Sequence, residues 1–151
     1  MESIKDSFKS TADIIEKSSN IVLTTHVVPD GDAIGSVMAM SEYLRLKGKH
    51  PVVINHSQTP FNLKFLDPDN SIRVFLENEK ENKEIIENSD LIIILDTNEF
   101  SRTRSMQEHI VKSPAKKICI DHHTGLKPEL FNAYMSNTDY PSNCSILYEF
   151  I

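Results

Sequence analysis

The sequence places imidazole and carboxylate side chains directly after short apolar runs. Three such groups occur, and their nitrogen and oxygen atoms are ligand types that bind divalent cations. In chain order the groups are His26, Asp30 and Asp32, then Asp96, then Asp121, His122 and His123. Mn2+, Mg2+ and Zn2+ all accept ligands of this kind. The residues therefore predict a metal site if the fold brings the three groups together.

The apolar run before each group is typical of a short buried β-strand. The runs cover 21–25, 91–95 and 117–120, and Ile, Leu and Val dominate them. The carboxyl ends of parallel strands lie at one edge of a sheet, which is where open α/β sheets bind their ligands. We therefore expect the three groups to converge at that edge.

Helical patterns alternate with these strands, which predicts an α/β fold: a doubly wound, mainly parallel sheet with helices on both faces. Predicted helices cover 4–17 (with Ile4, Phe8, Ala12 and Ile15 on one face), Asp32 or Ala33 to Lys47, about 105–111, and a segment from about Ser142. A strand is predicted at 51–54 and an extended piece at 131–135. Within 55–70 we expect Phe61, Leu63, Phe65 and Leu66 to pack in a turn of helix. The polar stretch 77–88 is interpreted as a solvated loop leading into a short helix.

The composition is that of a globular protein with one ordinary core. The chain has 151 residues, of which 39% are hydrophobic and 25% charged, and no apolar run approaches the length of a membrane span. The N-terminus lacks a signal-peptide pattern, so we expect a cytoplasmic protein. Its net charge of −6 argues against a basic groove for long nucleic acid. Small phosphorylated substrates stay open, because bound metal ions would reverse the local charge.

The chemistry that suits these residues is hydrolysis of a phosphoester by two metal ions. Two ions about 3.5–4 Å apart can activate a water and hold the attacking and leaving oxygens. Asp96 suits the bridging position, because it follows a rigid strand and lies between the other groups in the chain. His26 and Asp30 could complete one ion, and Asp32 and His122 the other. His123 would then be free to contact a phosphate or act as a general acid, with Asp121 orienting an imidazole.

Together the three groups resemble the DHH phosphoesterase superfamily. The resemblance rests on His26–Ser36, Leu95–Thr97 and Asp121–His123, which occur in the family's order and cover about residues 20–125. The superfamily includes RecJ-type exonucleases, manganese pyrophosphatases, cyclic-dinucleotide phosphodiesterases and nanoRNase/pAp phosphatases, the last often called exopolyphosphatase-related. The compact first motif and the stretch 96–102 look most like the last branch.

The resemblance implies a manganese-dependent phosphoesterase that acts on short oligonucleotides or pAp-like nucleotides. It implies two Mn2+ ions, with Mg2+ as a substitute, one held by His26, Asp30 and Asp96 and the other by Asp32, Asp96 and His122. It also implies catalytic roles for Asp96, Asp121 and His123, and phosphate contacts from His123 and Arg102. The expected partners are short phosphorylated nucleotides and a second copy in a homodimer, with no membrane and no long duplex.

The sequence departs from the family pattern in one respect. The family carries a fourth motif, a late Asp in a Gly-x-x-x-Asp-Thr-Gly-like stretch, and a C-terminal substrate-binding domain, and neither is found in residues 1–151. We therefore expect residues 1–151 to be a catalytic domain truncated before the fourth motif. Asp139 is a conceivable substitute ligand, although its surroundings fit an Asx-turn better.

Other interpretations of the same residues stay open. Within the superfamily the substrate could be pyrophosphate, polyphosphate or a cyclic dinucleotide, and a non-catalytic, metal-dependent nucleotide-binding module is a further alternative. Asp30 and Asp32 alone would be read as turn and N-cap residues, and Arg102 alone as a solvated side chain. His50, His56 and His109 follow no comparable pattern and are expected to be surface or structural residues.

Overall fold

The computed structural model describes residues 4–151, and helices alternate with strands along that range. The strands are β1 (Ile21–Thr24), β2 (Val52–Asn55), β3 (Arg73–Val74), β4 (Leu91–Leu95), β5 (Lys116–Asp121) and β6 (Ala133–Ser136). The α-helices are α1 (Ile4–Glu16), α2 (Gly31–Leu46), α3 (Glu79–Glu87), α4 (Gln107–Lys112) and α5 (Asn143–Phe150). Short 3-10 helices cover Phe61–Leu66, Phe75–Asn78, Phe100–Met106 and Pro128–Leu130.

The strands form one parallel sheet in the order β3-β2-β1-β4-β5-β6. The chain winds outward from β1 through β2 to β3, then returns and winds the other way from β4 to β6. The direction of winding reverses between β1 and β4, which pair through Ile21–Thr24 and Leu91–Ile94. A crevice opens at the carboxyl ends of the strands at such a switch point, and this crevice lies between the loops after β1 and β4.

Helices cover both faces of the sheet, as the sequence predicted. On one face Leu23, Leu91 and Ile93 pack against residues of α1, α2 and α5. On the other face Ile92 and Ile94 pack with side chains of the α3 and α4 segments. Strand β4 is buried along its whole length, which explains why its sequence is a continuous apolar run rather than an alternating one.

Several predicted bounds differ from the structure for identifiable reasons. Strand β3 went unpredicted because its two residues are too few for a periodic pattern. The stretch 77–88 was predicted as a loop leading into a short helix; the helix is present, but it begins earlier, so that the stretch is helical almost throughout. Phe61 and Phe65 do not pack inside: they are 90% and 73% exposed. The side chain of Ile4, which was predicted to share one helix face with Phe8, Ala12 and Ile15, lies outside the part of the chain that the structure describes. No helix in residues 4–151 has the length and apolar character needed to cross a membrane.

Candidate metal centre

Asp96 lies where the three predicted groups meet. One of its carboxylate oxygens, Oδ2, lies 3.4 Å from Nε2 of His26. The other oxygen, Oδ1, lies 3.5 Å from Nε2 of His122 and 3.9 Å from Nδ1 of His123. One carboxylate at the end of β4 thus faces imidazoles from the loops after β1 and β5, its two neighbours in the sheet.

Two sets of side chains around Asp96 have the spacing of metal ligands. The ligand atoms of His26, Asp30 and Asp96 all lie within 4.8 Å of one another, and so do those of Asp96, His122 and His123. Asp32 also approaches this second set, because its Oδ2 lies 3.5 Å from Nε2 of His122. The structure therefore brings together all five residues predicted as metal ligands.

The backbone at Asp96 directs its side chain into the crevice. Its φ is +61°, a left-handed conformation that few residues other than glycine adopt, although aspartate tolerates it better than most. The Asp96 N–H donates to the carbonyl of Ile120 on β5 at 2.9 Å, so the first residue after β4 is still held against the sheet. Strained backbone of this kind persists where the surrounding structure enforces it.

Two of the histidines are held so that Nε2 faces the carboxylates. Nδ1 of His26 lies 2.9 Å from the carbonyl of Val27, and Nδ1 of His122 lies 3.3 Å from the carbonyl of Tyr140. A carbonyl only accepts hydrogen bonds, so in the neutral imidazole Nδ1 carries the proton and Nε2 keeps its lone pair. Metal-binding histidines have the same arrangement, with the non-ligating nitrogen donating to a carbonyl or carboxylate.

The carboxylates of Asp30 and Asp32, at the start of α2, also have structural roles. Asp30 Oδ1 accepts from the Ala33 N–H at 3.0 Å, which makes Asp30 the N-cap of α2. Asp32 instead accepts from two N–H groups at the start of α5, those of Asn143 at 2.7 Å and Cys144 at 2.8 Å. Capping and metal binding are compatible, because each carboxylate oxygen has two lone pairs.

A hydrogen-bonded chain fixes the orientation of His123. Its Nδ1 lies 2.8 Å from Oδ1 of Asp121, a fully buried carboxylate, while about half of the His123 side chain is exposed. Asn98 donates to the other oxygen of Asp121 at 2.7 Å and to the carbonyls of His123 and Thr124. Asp121 therefore orients His123 through Nδ1 and leaves Nε2 of His123 free of that contact.

Asn98 is the residue of the site whose role sequence reasoning missed. It follows the predicted strand end by three residues, and an isolated amide in a loop is usually a turn residue. Asp139 does not join the site as a fourth carboxylate. The Asx-turn expected there is made by Asn137, whose Oδ1 accepts from the Asp139 N–H at 2.9 Å.

The pKa shifts in the centre reflect several carboxylates that lie close together around the buried Asp96. Burial raises the pKa of the Asp96 carboxyl; the contact with His26 opposes this, and the charges of Asp32 and Asp30 raise it further. The Asp96 carboxylate in turn raises the pKa of His26 against the effect of burial, and the charge of Arg102 lowers it. A divalent cation would neutralise this concentration of negative charge.

One further observation indicates that these side chains fit a metal cluster. Asp96 Oδ1 is buried and has no hydrogen-bond partner within the described residues. An unpaired buried carboxylate oxygen is costly unless a cation or another donor satisfies it. Together with two Nε2 lone pairs and the carboxylates of Asp30 and Asp32, it provides mixed oxygen and nitrogen ligands for divalent ions.

Arg102 lies at the rim of the centre. Its carbonyl accepts from the Val27 N–H at 2.7 Å, which joins the 3-10 helix after β4 to the loop after β1. Its side chain is partly exposed and its charge acts on His26. The structure records no contact between the guanidinium and the carboxylates around Asp96.

Comparisons with solved structures identify proteins that share this architecture. An exopolyphosphatase-related protein from Bacteroides fragilis superposes with a TM-score of 0.91 and 27% identity, over 97% of this chain and 43% of that one. The exonuclease RecJ bound to manganese gives a TM-score of 0.55 and 13% identity, over 99% of this chain and 36% of that one. A Sir2 enzyme superposes with a TM-score of 0.63 and 11% identity, over 97% of each chain.

The last two comparisons are below 25% identity and show the fold alone. The chain spans less than half the length of the exopolyphosphatase-related protein and of RecJ. No curated protein matches the sequence. The model of the DHH family N-terminal domain matches residues 20–151, a range that contains all the strands and every residue of the candidate centre. On that match, the chain belongs to the DHH family.

Proposed function

We propose that this chain is the catalytic domain of a metal-dependent phosphoesterase that hydrolyses short oligonucleotides or pAp-like nucleotides. The observation that carries the proposal is the position of Asp96, whose two oxygens face His26 on one side and His122 on the other. A carboxylate in that position is suited to bridge two ions. Phosphoester hydrolysis is the chemistry that two adjacent divalent ions promote.

The proposed ligands divide into two sets that share Asp96. His26, Asp30 and Asp96 would hold one ion, and Asp32, Asp96 and His122 the other. When bound, two such ions supply an activated water and positive charge for the phosphoryl oxygens. Manganese is the first choice because the RecJ relatives were solved with it, and Mg2+ is the proposed substitute.

His123 is proposed to contact the substrate rather than a metal. Its Nδ1 is engaged by Asp121, so Nε2 can donate to a phosphoryl oxygen or protonate the leaving oxygen. Asp121 is a positioning residue, because it acts through His123 and is itself fully buried. Arg102, at the rim, is proposed as a second contact for phosphate.

One second candidate has a specific observation in its favour. The relative with 27% identity is described as exopolyphosphatase-related, which favours polyphosphate or pyrophosphate as the substrate of the same centre. The net charge of −6 favours a short substrate in either case. A cytoplasmic location and a homodimer stay predictions.

The test is a calorimetric titration of the metal-stripped chain with Mn2+, followed by assays with pAp, a dinucleotide and tripolyphosphate. We expect two Mn2+ sites and faster turnover of the nucleotides than of tripolyphosphate. Asp96→Asn and His122→Ala should each abolish turnover, whereas Asp13→Asn, on the exposed part of α1, should not. Absence of Mn2+ binding by a folded chain would contradict the proposal, and turnover of tripolyphosphate alone would favour the second candidate.

A further inference from the structure

The loop after β1 contains a strained residue between two of the proposed ligands, His26 and Asp30. Val28 has a φ of +52°, a left-handed conformation that is a genuine outlier for a β-branched side chain. Pro29 follows it, and a residue before proline is normally extended, with a negative φ. The Val28 side chain is 75% exposed, so little packing offsets the strain. Contacts of the backbone must therefore hold Val28 in this conformation.

Left-handed backbone of this kind collects around the candidate metal centre. Within residues 4–151 the residues other than glycine with positive φ are Val28, Asn70, Asp96 and Arg104. Three of these four lie in the segments after β1 and β4, on the two sides of the crevice. Strained backbone persists only where its surroundings enforce it, and it clusters at sites that need a defined geometry. The contacts that enforce it at Val28 are therefore candidates for a functional role.

Two hydrogen bonds from neighbouring elements hold the backbone around Val28. The Val28 N–H donates to Oγ of Ser57 at 3.1 Å, and the Val27 N–H donates to the carbonyl of Arg102 at 2.7 Å. Ser57 follows β2 and Arg102 follows β4, so the loop is tied to segments after both strands that flank β1. Arg102 supplies only a backbone carbonyl, which any residue could provide. Ser57 supplies its side chain, so here the residue type matters.

We propose that Ser57 is a positioning residue of the metal centre, which holds Val28 in its left-handed conformation and so keeps His26 and Asp30 directed at one ion. The inference rests on the proposed function, because it takes His26 and Asp30 as ligands. Their ligand atoms lie within 4.8 Å of each other and of the Asp96 carboxylate. Rotation of Val28 to an extended conformation would redirect the chain between the two ligands and separate these atoms.

The first test requires neither metal nor turnover. In EDTA, NMR measures the coupling between the amide and Hα protons of Val28, which depends on φ. We expect the value of a left-handed residue in the unaltered chain and in Ser57→Thr, which keeps the hydroxyl, and the larger value of an extended residue in Ser57→Ala. Asn70, with a φ of +50°, is the internal control and should not change. An unchanged Val28 coupling in Ser57→Ala would overturn the proposal.

The second test measures Mn2+ affinity by calorimetry. Ser57→Ala should raise the Kd of one Mn2+ site about two- to tenfold, the effect of losing one hydrogen bond. Ser57→Thr should bind Mn2+ like the unaltered chain, and so should the matched control Ser10→Ala, an exposed serine on α1. The urea midpoint of Ser57→Ala in EDTA should be nearly unchanged, because this hydrogen bond lies at the surface.

A second substitution separates positioning from a general structural role. Asparagine and glycine adopt the left-handed backbone more readily than valine. Adding Val28→Asn or Val28→Gly to Ser57→Ala should therefore restore the Kd to within about threefold of the unaltered chain, a difference of about 0.7 kcal/mol. Val28→Thr keeps the β-branch and should restore nothing. Double variants as weak as Ser57→Ala alone would contradict the proposed role of Val28.

The outcomes separate this inference from the proposed function. If Ser57→Ala binds Mn2+ as tightly as the unaltered chain, the inference fails and the proposed function stands. If the unaltered chain binds no Mn2+, the proposed function fails, and with it the role of Ser57 at the metal; the Val28 coupling in EDTA then decides only whether Ser57 holds the loop. Ser57→Gly removes the same acceptor and replaces Ser57→Ala if that variant does not fold.

Discussion

At the scale of single residues, the candidate site depends on which nitrogen of each histidine is left free. Backbone carbonyls bind Nδ1 of His26 and His122, so their Nε2 atoms face the carboxylates. Asp121 binds Nδ1 of His123, whose side chain is much more exposed than that of His26. His122 and His123, neighbours in the sequence, therefore differ in the partner of Nδ1, a carbonyl for His122 and a carboxylate for His123, and we propose different roles for them.

That difference predicts opposite behaviour for two matched substitutions. His122→Gln removes a proposed ligand, so it should weaken or abolish one Mn2+ site in calorimetry. His123→Gln should leave both Mn2+ sites in place and reduce kcat by about 100-fold or more, the usual contribution of a positioned acid or base. Loss of a Mn2+ site in His123→Gln would instead identify His123 as a ligand, which its distance from Asp96 allows.

Asn98 provides a second prediction at this scale. Asn98→Ala removes the donor to Asp121 and leaves a buried carboxylate oxygen with one partner fewer. We expect turnover to fall about tenfold through looser placement of His123, with Mn2+ affinity unchanged. Asn98→Asp should be worse than Asn98→Ala, because it sets two carboxylates against each other. Asn88→Ala, an exposed amide at the end of α3, is the control; equal activity of Asn98→Ala and Asn98→Asp would contradict this account.

At the scale of elements, Asp32 couples the start of α2 to the start of α5. Its two oxygens accept the N–H groups of Asn143 and Cys144, which are donors without partners inside their own helix. Gly35 allows the same two helices to approach closely, since a Cβ there would lie 3.1 Å from the sulfur of Cys144. A proposed metal ligand is thus also part of a helix–helix contact.

We therefore predict that Asp32→Ala destabilises the fold even without metal. In EDTA its free energy of unfolding should fall by about 1–3 kcal/mol, because two N–H groups at the start of α5 lose their acceptor. Asp30→Ala should cost about 1 kcal/mol, the usual loss for one N-cap. Urea denaturation of both variants measures the difference. An Asp32→Ala chain as stable as the unaltered one would mean that water replaces the carboxylate at no cost.

At the scale of the whole molecule, the sheet holds the loops that carry the proposed ligands, and bound metal should in turn stabilise the sheet. A ligand that binds only the folded state at 100 times its Kd adds about 2.7 kcal/mol per site. We expect Mn2+ to raise Tm by about 5–10 °C for a domain of this size. Asp96→Asn should abolish the increase, because asparagine lacks the charge that binds the metal. The variant should still fold, because asparagine also tolerates the left-handed backbone.

The comparison with EDTA makes this prediction specific to the centre. In EDTA, Asp96→Asn should be at least as stable as the unaltered chain, because burial and the neighbouring carboxylates raise the pKa of Asp96 and disfavour its charged form. Asp13→Asn is the surface control and should keep the full increase in Tm with Mn2+. A rise in Tm that survives Asp96→Asn would place the stabilising metal elsewhere on the molecule.

The sequence by itself determined the α/β class and the edge of the sheet at which chemistry-bearing residues collect. This was possible because buried parallel strands are continuous apolar runs, and because the residue after such a run lies at the carboxyl edge. Asp96 after Leu91–Leu95 and Asp121 at the end of the 116–121 strand followed from that rule alone. The predicted packing of Phe61 and Phe65 was wrong, because a short 3-10 helix leaves little periodic pattern from which to tell a buried face.

Only the tertiary structure decided which hydrogen bonds the residues at this edge of the sheet form with other elements. Pairing Asp121 with His123, Asn98 with Asp121, and Asp32 with the start of α5 joins positions on different elements. The same holds for His56 and Ser105, which are 49 residues apart in the chain. Sequence patterns report the local period and the burial of one element at a time. Hydrogen bonds between elements depend on strand order and on the paths of the loops, which no local pattern contains.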